Sequence, residues 1–160
     1  MLKKSLWKIV SLAVISSLAL FALVACGGGS SSNSSAPKID PMNMQIGNTL
    51  TYKNLDICVN EVETGIITYG NKELVRVNVT YTNKGKSDQS FNVYDWKAAD
   101  NNGASRSQAF YLDAENELNS GSLMSGGSVT GNIYFDAPVS KILYYNNMFD
   151  KEASGIWNVG

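Results

Sequence analysis

Hydrophobic and polar positions fall into two regimes along the 160 residues. Ile9 to Val24 is almost unbroken apolar, interrupted only by the small Ser11, Ser16 and Ser17. Lys3, Lys4 and Lys8 flank its start and Cys26 follows its end. From about Asn48 the pattern changes to short segments in which apolar and polar residues alternate, with turn residues between them. A period of two puts successive side chains on opposite faces, so each such segment predicts a strand with one buried face.

The clearest strand starts at Val75. Val75, Val77, Val79 and Tyr81 point one way, while Arg76, Asn78, Thr80 and Thr82 point the other. Leu55, Ile57 and Val59 alternate with Asp56, Cys58 and Asn60 in the same manner. Val129, Gly131, Ile133 and Phe135 alternate with Thr130, Asn132 and Tyr134. Leu50 to Tyr52, Phe91 to Lys97, Ile142 to Tyr145 and Ile156 to Val159 predict further strands, and Gln108 to Leu112 a short edge strand. Lys53-Asn54, Tyr69-Gly70-Asn71, Asn83-Lys84-Gly85-Lys86 and Asp100-Asn101-Asn102-Gly103 read as turns, because Gly and Asn tolerate the backbone a reversal needs. Gly121 to Ser128 reads as a Gly/Ser loop. No segment keeps a helical period, and Leu112 to Leu118 allows one helical turn at most. Seven to eight short strands at hairpin spacing predict an all-β fold over residues 47–160: a two-layer antiparallel immunoglobulin-like sandwich.

The upstream regime predicts an address. A positive start, an apolar run and a small-residue end form an export signal over residues 1–25, cleaved after Ala25. Leu23-Val24-Ala25-Cys26 has the order of a lipobox, in which the Cys26 sulfur receives a diacylglyceryl group. An uncleaved membrane span needs about 20 apolar residues, for which this run is marginal. Residues 26–46 carry Gly27-Gly28-Gly29, a serine run, Pro37 and Pro41. Such a composition buries too little apolar surface to order itself and predicts a flexible leash. The expected location is the outer face of the cytoplasmic membrane, with the domain extracellular and held there through lipidated Cys26.

Composition narrows the chemistry. All fourteen acids lie beyond residue 25, and three of the thirteen basic residues lie before it, leaving ten against fourteen. A mildly acidic domain has no footprint for nucleic acid, which demands clustered Lys and Arg. The absence of histidine removes Ser-His-Asp and Cys-His machinery and the usual zinc sites. Beyond Cys26 only Cys58 remains, so no disulfide forms within the domain, and the expected role of Cys58 is a small packing residue. No cofactor, metal site or catalytic constellation is expected. Met42 and Met44 are too few thioethers for a copper site without supporting ligands. Asp100 opens a segment with Ser105 and Tyr111 where a calcium loop requires Gly and Glu. Trp96 and Trp157 are expected in the core or at an edge.

Two groups of surface residues carry alternative functions. If the strands around residues 72–82, 128–136 and 142–145 are neighbours in one sheet, Arg76, Asn78, Asn132, Tyr134 and Tyr145 share an exposed polar-aromatic face. Tyr and Arg are enriched at binding hot spots. This face is the candidate binding surface of a non-catalytic module for an unknown protein or a cell-wall glycan. Glu61 and Glu63, two apart on one strand face, give the alternative of a carboxylate-based wall enzyme. A third alternative is an accessory subunit of a membrane complex.

The order of the pieces carries a resemblance. Asn48-Thr49-Leu50, then Leu55-Asp56-Ile57, then Leu74 through Lys86, then Gly126-Gly127-Ser128-Val129-Thr130-Gly131 and Ile142-Leu143-Tyr144-Tyr145 resemble small immunoglobulin-like lipoproteins of Gram-positive bacteria, catalogued as a domain of unknown function. The resemblance covers about residues 47–159. It implies a sandwich similar to the mycobacterial immunoprotective extracellular antigen, and it brings no catalytic or ligand residues.

Overall fold

A computed structural model describes residues 38–160. The predicted export signal, Ala25, Cys26 and the part of the predicted leash up to residue 37 lie outside the described residues.

Eleven strands make up the body: β1 (Met44–Gln45), β2 (Thr49–Tyr52), β3 (Leu55–Ile67), β4 (Glu73–Asn83), β5 (Gln89–Phe91), β6 (Trp96–Ala99), β7 (Ser105–Arg106), β8 (Gly121–Leu123), β9 (Ser128–Asp136), β10 (Lys141–Tyr144) and β11 (Gly155–Asn158). Seven of them have four or more residues, and there is no α-helix among the described residues. One sheet has the order β2-β3-β4-β9, the second β1-β11-β10-β6-β7, and β5 with β8 form a small third sheet. This is an immunoglobulin-like sandwich.

The long strands form where alternation is cleanest. Val75, Val77, Val79 and Tyr81 of β4 and Leu55, Ile57 and Val59 of β3 are buried, with their polar neighbours on the outer face. Lys53 and Asn54 join β2 to β3 with φ of 46° and 68°. Two successive positive φ values give the mirror-image turn that matches the twist of a two-residue hairpin. The β3–β4 turn is longer and closes where the Thr68 amide donates to the Lys72 carbonyl at 2.9 Å.

The core is aromatic and its polar tips are satisfied. Trp96 and Trp157 are fully buried, with ring centroids 5.6 Å apart. The Trp96 indole donates to the Tyr81 hydroxyl at 2.8 Å, joining the second sheet to the first. The Trp157 indole donates to the Asn48 carbonyl at 2.9 Å. A buried indole or phenol without a partner would be destabilising, so these bonds let aromatics fill the layer.

Several sequence expectations need correction. Phe91 to Lys97 is not one strand. Asn92 accepts from the Tyr94 amide at 3.1 Å and caps a 3₁₀ turn, Val93–Asp95, which carries the chain from the small sheet to the second. Gln108 to Leu112 is not a strand; β7 is two residues further upstream. The Gly121–Ser128 loop begins as β8, paired with β5. β10 belongs to the second sheet, so it is no neighbour of β4 or β9. The ordered body also begins before residue 47: β1 runs parallel to β11, and Met44 is fully buried.

Candidate functional site

The predicted polar-aromatic face divides. Register places Arg76 opposite Tyr134 and Asn78 opposite Asn132 across β4 and β9, so these four do share the outer face of the first sheet. Tyr145 does not join them. It follows β10 in the second sheet, is buried, and has the Lys97 ammonium 4.8 Å above its ring.

Nor is the face open. Asn132 is 6% exposed and Tyr134 3%, against the expectation that both meet solvent. The cover is the segment between β7 and β8. The Ala109 amide donates to the Tyr134 carbonyl at 2.7 Å, the Leu118 amide to the Asn132 carbonyl at 2.9 Å, and the Asn132 amide to the Asn116 carbonyl at 2.8 Å. These bonds cap the edge of β9. The segment then folds over the face: the Tyr111 ring lies 5.1 Å from that of Tyr134, and the Glu115 amide donates to the Tyr134 hydroxyl at 3.2 Å. Gly131 permits this approach, because a Cβ there would sit 2.9 Å from Leu118 Cα.

Beneath the cover the polar groups bond to one another. Asn132 donates to the Glu115 carbonyl at 2.7 Å and accepts from Asn78 at 2.7 Å. Asn78 in turn accepts from Asn60 at 2.8 Å. Arg76 pairs with Glu63 at 2.6 Å. Arg76, Asn78, Asn132 and Tyr134 are therefore brought together as a ladder that holds the outer face and its cover in place.

The surface that does face solvent lies beside this ladder, where the β3–β4 hairpin turns. Tyr69 is 95% exposed at the hairpin tip, and the covering segment holds Phe110 at 86% and Leu112 at 77%. Thr68, Tyr69, Lys72, Leu74, Phe110 and Leu112 line a groove of about 280 Å³. Tyr111 and Asp113 line it too and also border an adjoining recess of about 200 Å³ with Glu63, Arg76 and Glu115. The cations here are engaged, Lys72 with Asp136 at 2.8 Å and Arg76 with Glu63. Asp113 and Glu115 have no ion-pair partner among the described residues. Burial, and next the Asp113 carboxylate, push the Tyr111 phenol above its ordinary range.

Sequence reasoning missed this surface, although signals existed. Tyr69 precedes Gly70-Asn71 at a predicted turn, which places an aromatic at a hairpin tip. Phe110-Tyr111-Leu112 is an apolar run without alternation, and such a run at a surface calls for a functional explanation.

The remaining candidates resolve as structure. Asp100 accepts from the Ala104 and Asn102 amides and from Arg106, and these bonds hold its carboxyl below the usual range. Met44 is core while Met42 is about half exposed, so the two thioethers have separate surroundings. Cys58 is half-buried on the outer side of β3, in register with Thr49 and Thr80. Among the described residues no three His, Cys, Asp or Glu side chains are grouped to hold a metal ion.

A family model described as a domain of unknown function (DUF4352) matches residues 44–154. The chain belongs to this family. No curated protein matches it. The DUF4352 fold is similar to the crystal structure of the yjhA protein from Bacillus subtilis, with a TM-score of 0.60 and 22% identity over 73% of this chain and 99% of that one. It is similar also to MPT63, a secreted protein from Mycobacterium tuberculosis, with a TM-score of 0.60 and 17% identity over 76% and 100%. A third likeness is to ycdA from Bacillus subtilis, described as a candidate lipoprotein, with a TM-score of 0.55 and 16% identity over 69% of this chain and 38% of that one. At these identities the DUF4352 likenesses speak for the sandwich alone.

Proposed function

We propose that this chain is a lipid-anchored extracellular domain that binds a protein or cell-wall ligand without catalysing a reaction. Its binding surface is the groove between the β3–β4 hairpin tip and residues 109–113. The address rests on the charged, apolar and small-residue order ending at Cys26. It is consistent with a secreted protein and a candidate lipoprotein among the structural neighbours. No helix among the described residues is long and apolar enough to cross a membrane.

One observation carries the binding role: Tyr69, Phe110 and Leu112 converge around a single groove while almost wholly in water. Contiguous exposed apolar side chains mark interaction sites, and an aromatic-lined concavity is the usual form. Of the alternative carboxylate pair, Glu63 is engaged by Arg76, which supports the binding reading over the enzyme one.

The test is photocross-linking in cells from a photoreactive residue at position 69 or 110, with position 101, on an exposed turn, as the control. A discrete product from 69 and 110 and none from 101 is the expected result. Equal, diffuse products from all three would overturn the reading. Membrane attachment has its own check: Cys26→Ala is expected to shift the protein from the membrane to the soluble fraction.

A further inference from the structure

We infer that the occupant of the Tyr69–Phe110 groove is a protein segment that presents lysine or arginine beside apolar side chains, selected by Asp113 and Glu115. The inference rests on the binding reading above and names its partner class.

Charge is the first argument. Six ionic groups lie at the groove and its adjoining recess, and the two cations among them are already paired. Lys72 on the hairpin faces Asp136 of β9, and Arg76 of β4 faces Glu63 of β3. Asp113 and Glu115, both exposed, are left without a cation among the described residues. The surplus continues over the body, where ten basic residues stand against fourteen acids. An anionic wall polymer would meet this field as repulsion, whereas a basic segment is steered towards it.

Chemistry of the lining is the second. Recognition of a sugar needs free hydrogen-bonding groups that can pair with adjacent hydroxyls. Beside the groove, the side-chain amides of Asn78 and Asn132 and the Tyr134 phenol are already bonded within the ladder. What the groove offers instead is apolar wall at Phe110 and Leu112, aromatic faces at Tyr69 and Tyr111, and two carboxylates. An ammonium or guanidinium over an aromatic ring, next to a carboxylate, uses all three. A segment that alternates basic and apolar side chains meets the groove and the adjoining recess together.

The experiment is a selection on the full chain, immobilised in detergent micelles, from a displayed random peptide library. Enriched peptides are expected to combine Lys or Arg with aromatic or aliphatic residues. Their binding should weaken about tenfold or more on Asp113→Asn with Glu115→Gln, and fall with rising salt. Tyr69→Ala and Phe110→Ala should weaken it as well. All four side chains are exposed, so unchanged thermal melts will exclude misfolding as the cause. Enrichment of neutral or acidic peptides, or indifference to the carboxylate variant, overturns the inference. N-acetylglucosamine oligomers serve as a second probe. If they bind and Tyr69→Ala abolishes it, while no peptide is enriched, the segment assignment falls and the binding reading stands. If neither probe binds, both fall.

Discussion

Asn83 shows how much one side chain can organise. It is fully buried, and its amide nitrogen donates to the carbonyls of Ser87, Leu123 and Met124 at 2.8, 2.9 and 3.1 Å. Its carbonyl oxygen accepts from the Gly85 amide at 2.8 Å. The turn after β4 is thereby tied to the turn before β9. Asn83→Ala strands these groups in the interior and should lower stability by about 3 kcal/mol in urea unfolding. The sequence marks Asn83 as the start of a turn, whereas it is the last residue of β4 and the turn follows it. Its burial was not legible, because two of its partners lie about forty positions away. Asp95 makes a different prediction. Burial first, with a contribution from Asp150, raises its carboxyl to about 6. The folded state therefore holds a proton that the unfolded chain, at about 4, releases. The stabilising effect of this site is present at low pH and lost as pH rises through about 6. Asp95→Asn should remove that slope and stabilise the protein at pH 7 by on the order of 2 kcal/mol. Unfolding of parent and variant at pH 4.5 and pH 7 measures the difference directly. Asp100, whose carboxyl is depressed, contributes in the opposite sense to both proteins and cancels in the comparison.

Among the elements, β3 and β9 each deal with an open edge. β2 pairs with β3 only from Leu55 to Cys58, so beyond Asn60 the outer edge of β3 meets no strand among the described residues. Register shifts between Val59 and Glu61 and between Glu63 and Ile66, together with exposed Glu61 and Glu63, break the flat ladder a second chain would extend. Glu61→Val with Glu63→Val is expected to produce concentration-dependent self-association, visible by sedimentation velocity. At β9 the edge is capped by the crossing segment, which depends on the close approach at Gly131. Gly131→Ala should lift that segment and speed hydrogen exchange at the Leu118 and Asn132 amides, leaving the β3–β4 amides protected. Alternation told correctly which way Tyr134 points. It could not tell that Tyr134 is covered, because a period of two records only a strand's own faces and the cover comes from residues 109–118. The same segment explains the misread edge strand: it runs beside β9 and bonds to it, but through scattered amides rather than a ladder.

For the whole molecule, the layer architecture followed from seven well-patterned strands, while the assignment of short strands to sheets did not. β10 carries the same alternation whichever sheet it joins, and only pairing with β6 and β11 decides the matter. The N-terminal limit was hidden for a related reason. Met44 and Gln45 sit in a segment whose serines and prolines predict a leash, yet Met44 fills the core against Gly155, where a Cβ would lie 3.0 Å from its methyl. Met44→Ala should cost about 3 kcal/mol by leaving that space unfilled. A chain beginning at residue 47 should melt well below one beginning at residue 38, as differential scanning calorimetry would show.

That docking of β1 has a mechanical side. Any pull transmitted through the N-terminal segment enters the body at β1, whose parallel pairing to β11 is two residues long. Only a few further bonds share the load, from Ile156 to Pro41 and from Asn158 to Asn43. β1 is thus the weak link under tension. A modest force is expected to peel it away and uncover Trp157 while the four-stranded sheet stays closed, so that the body lengthens before it unfolds.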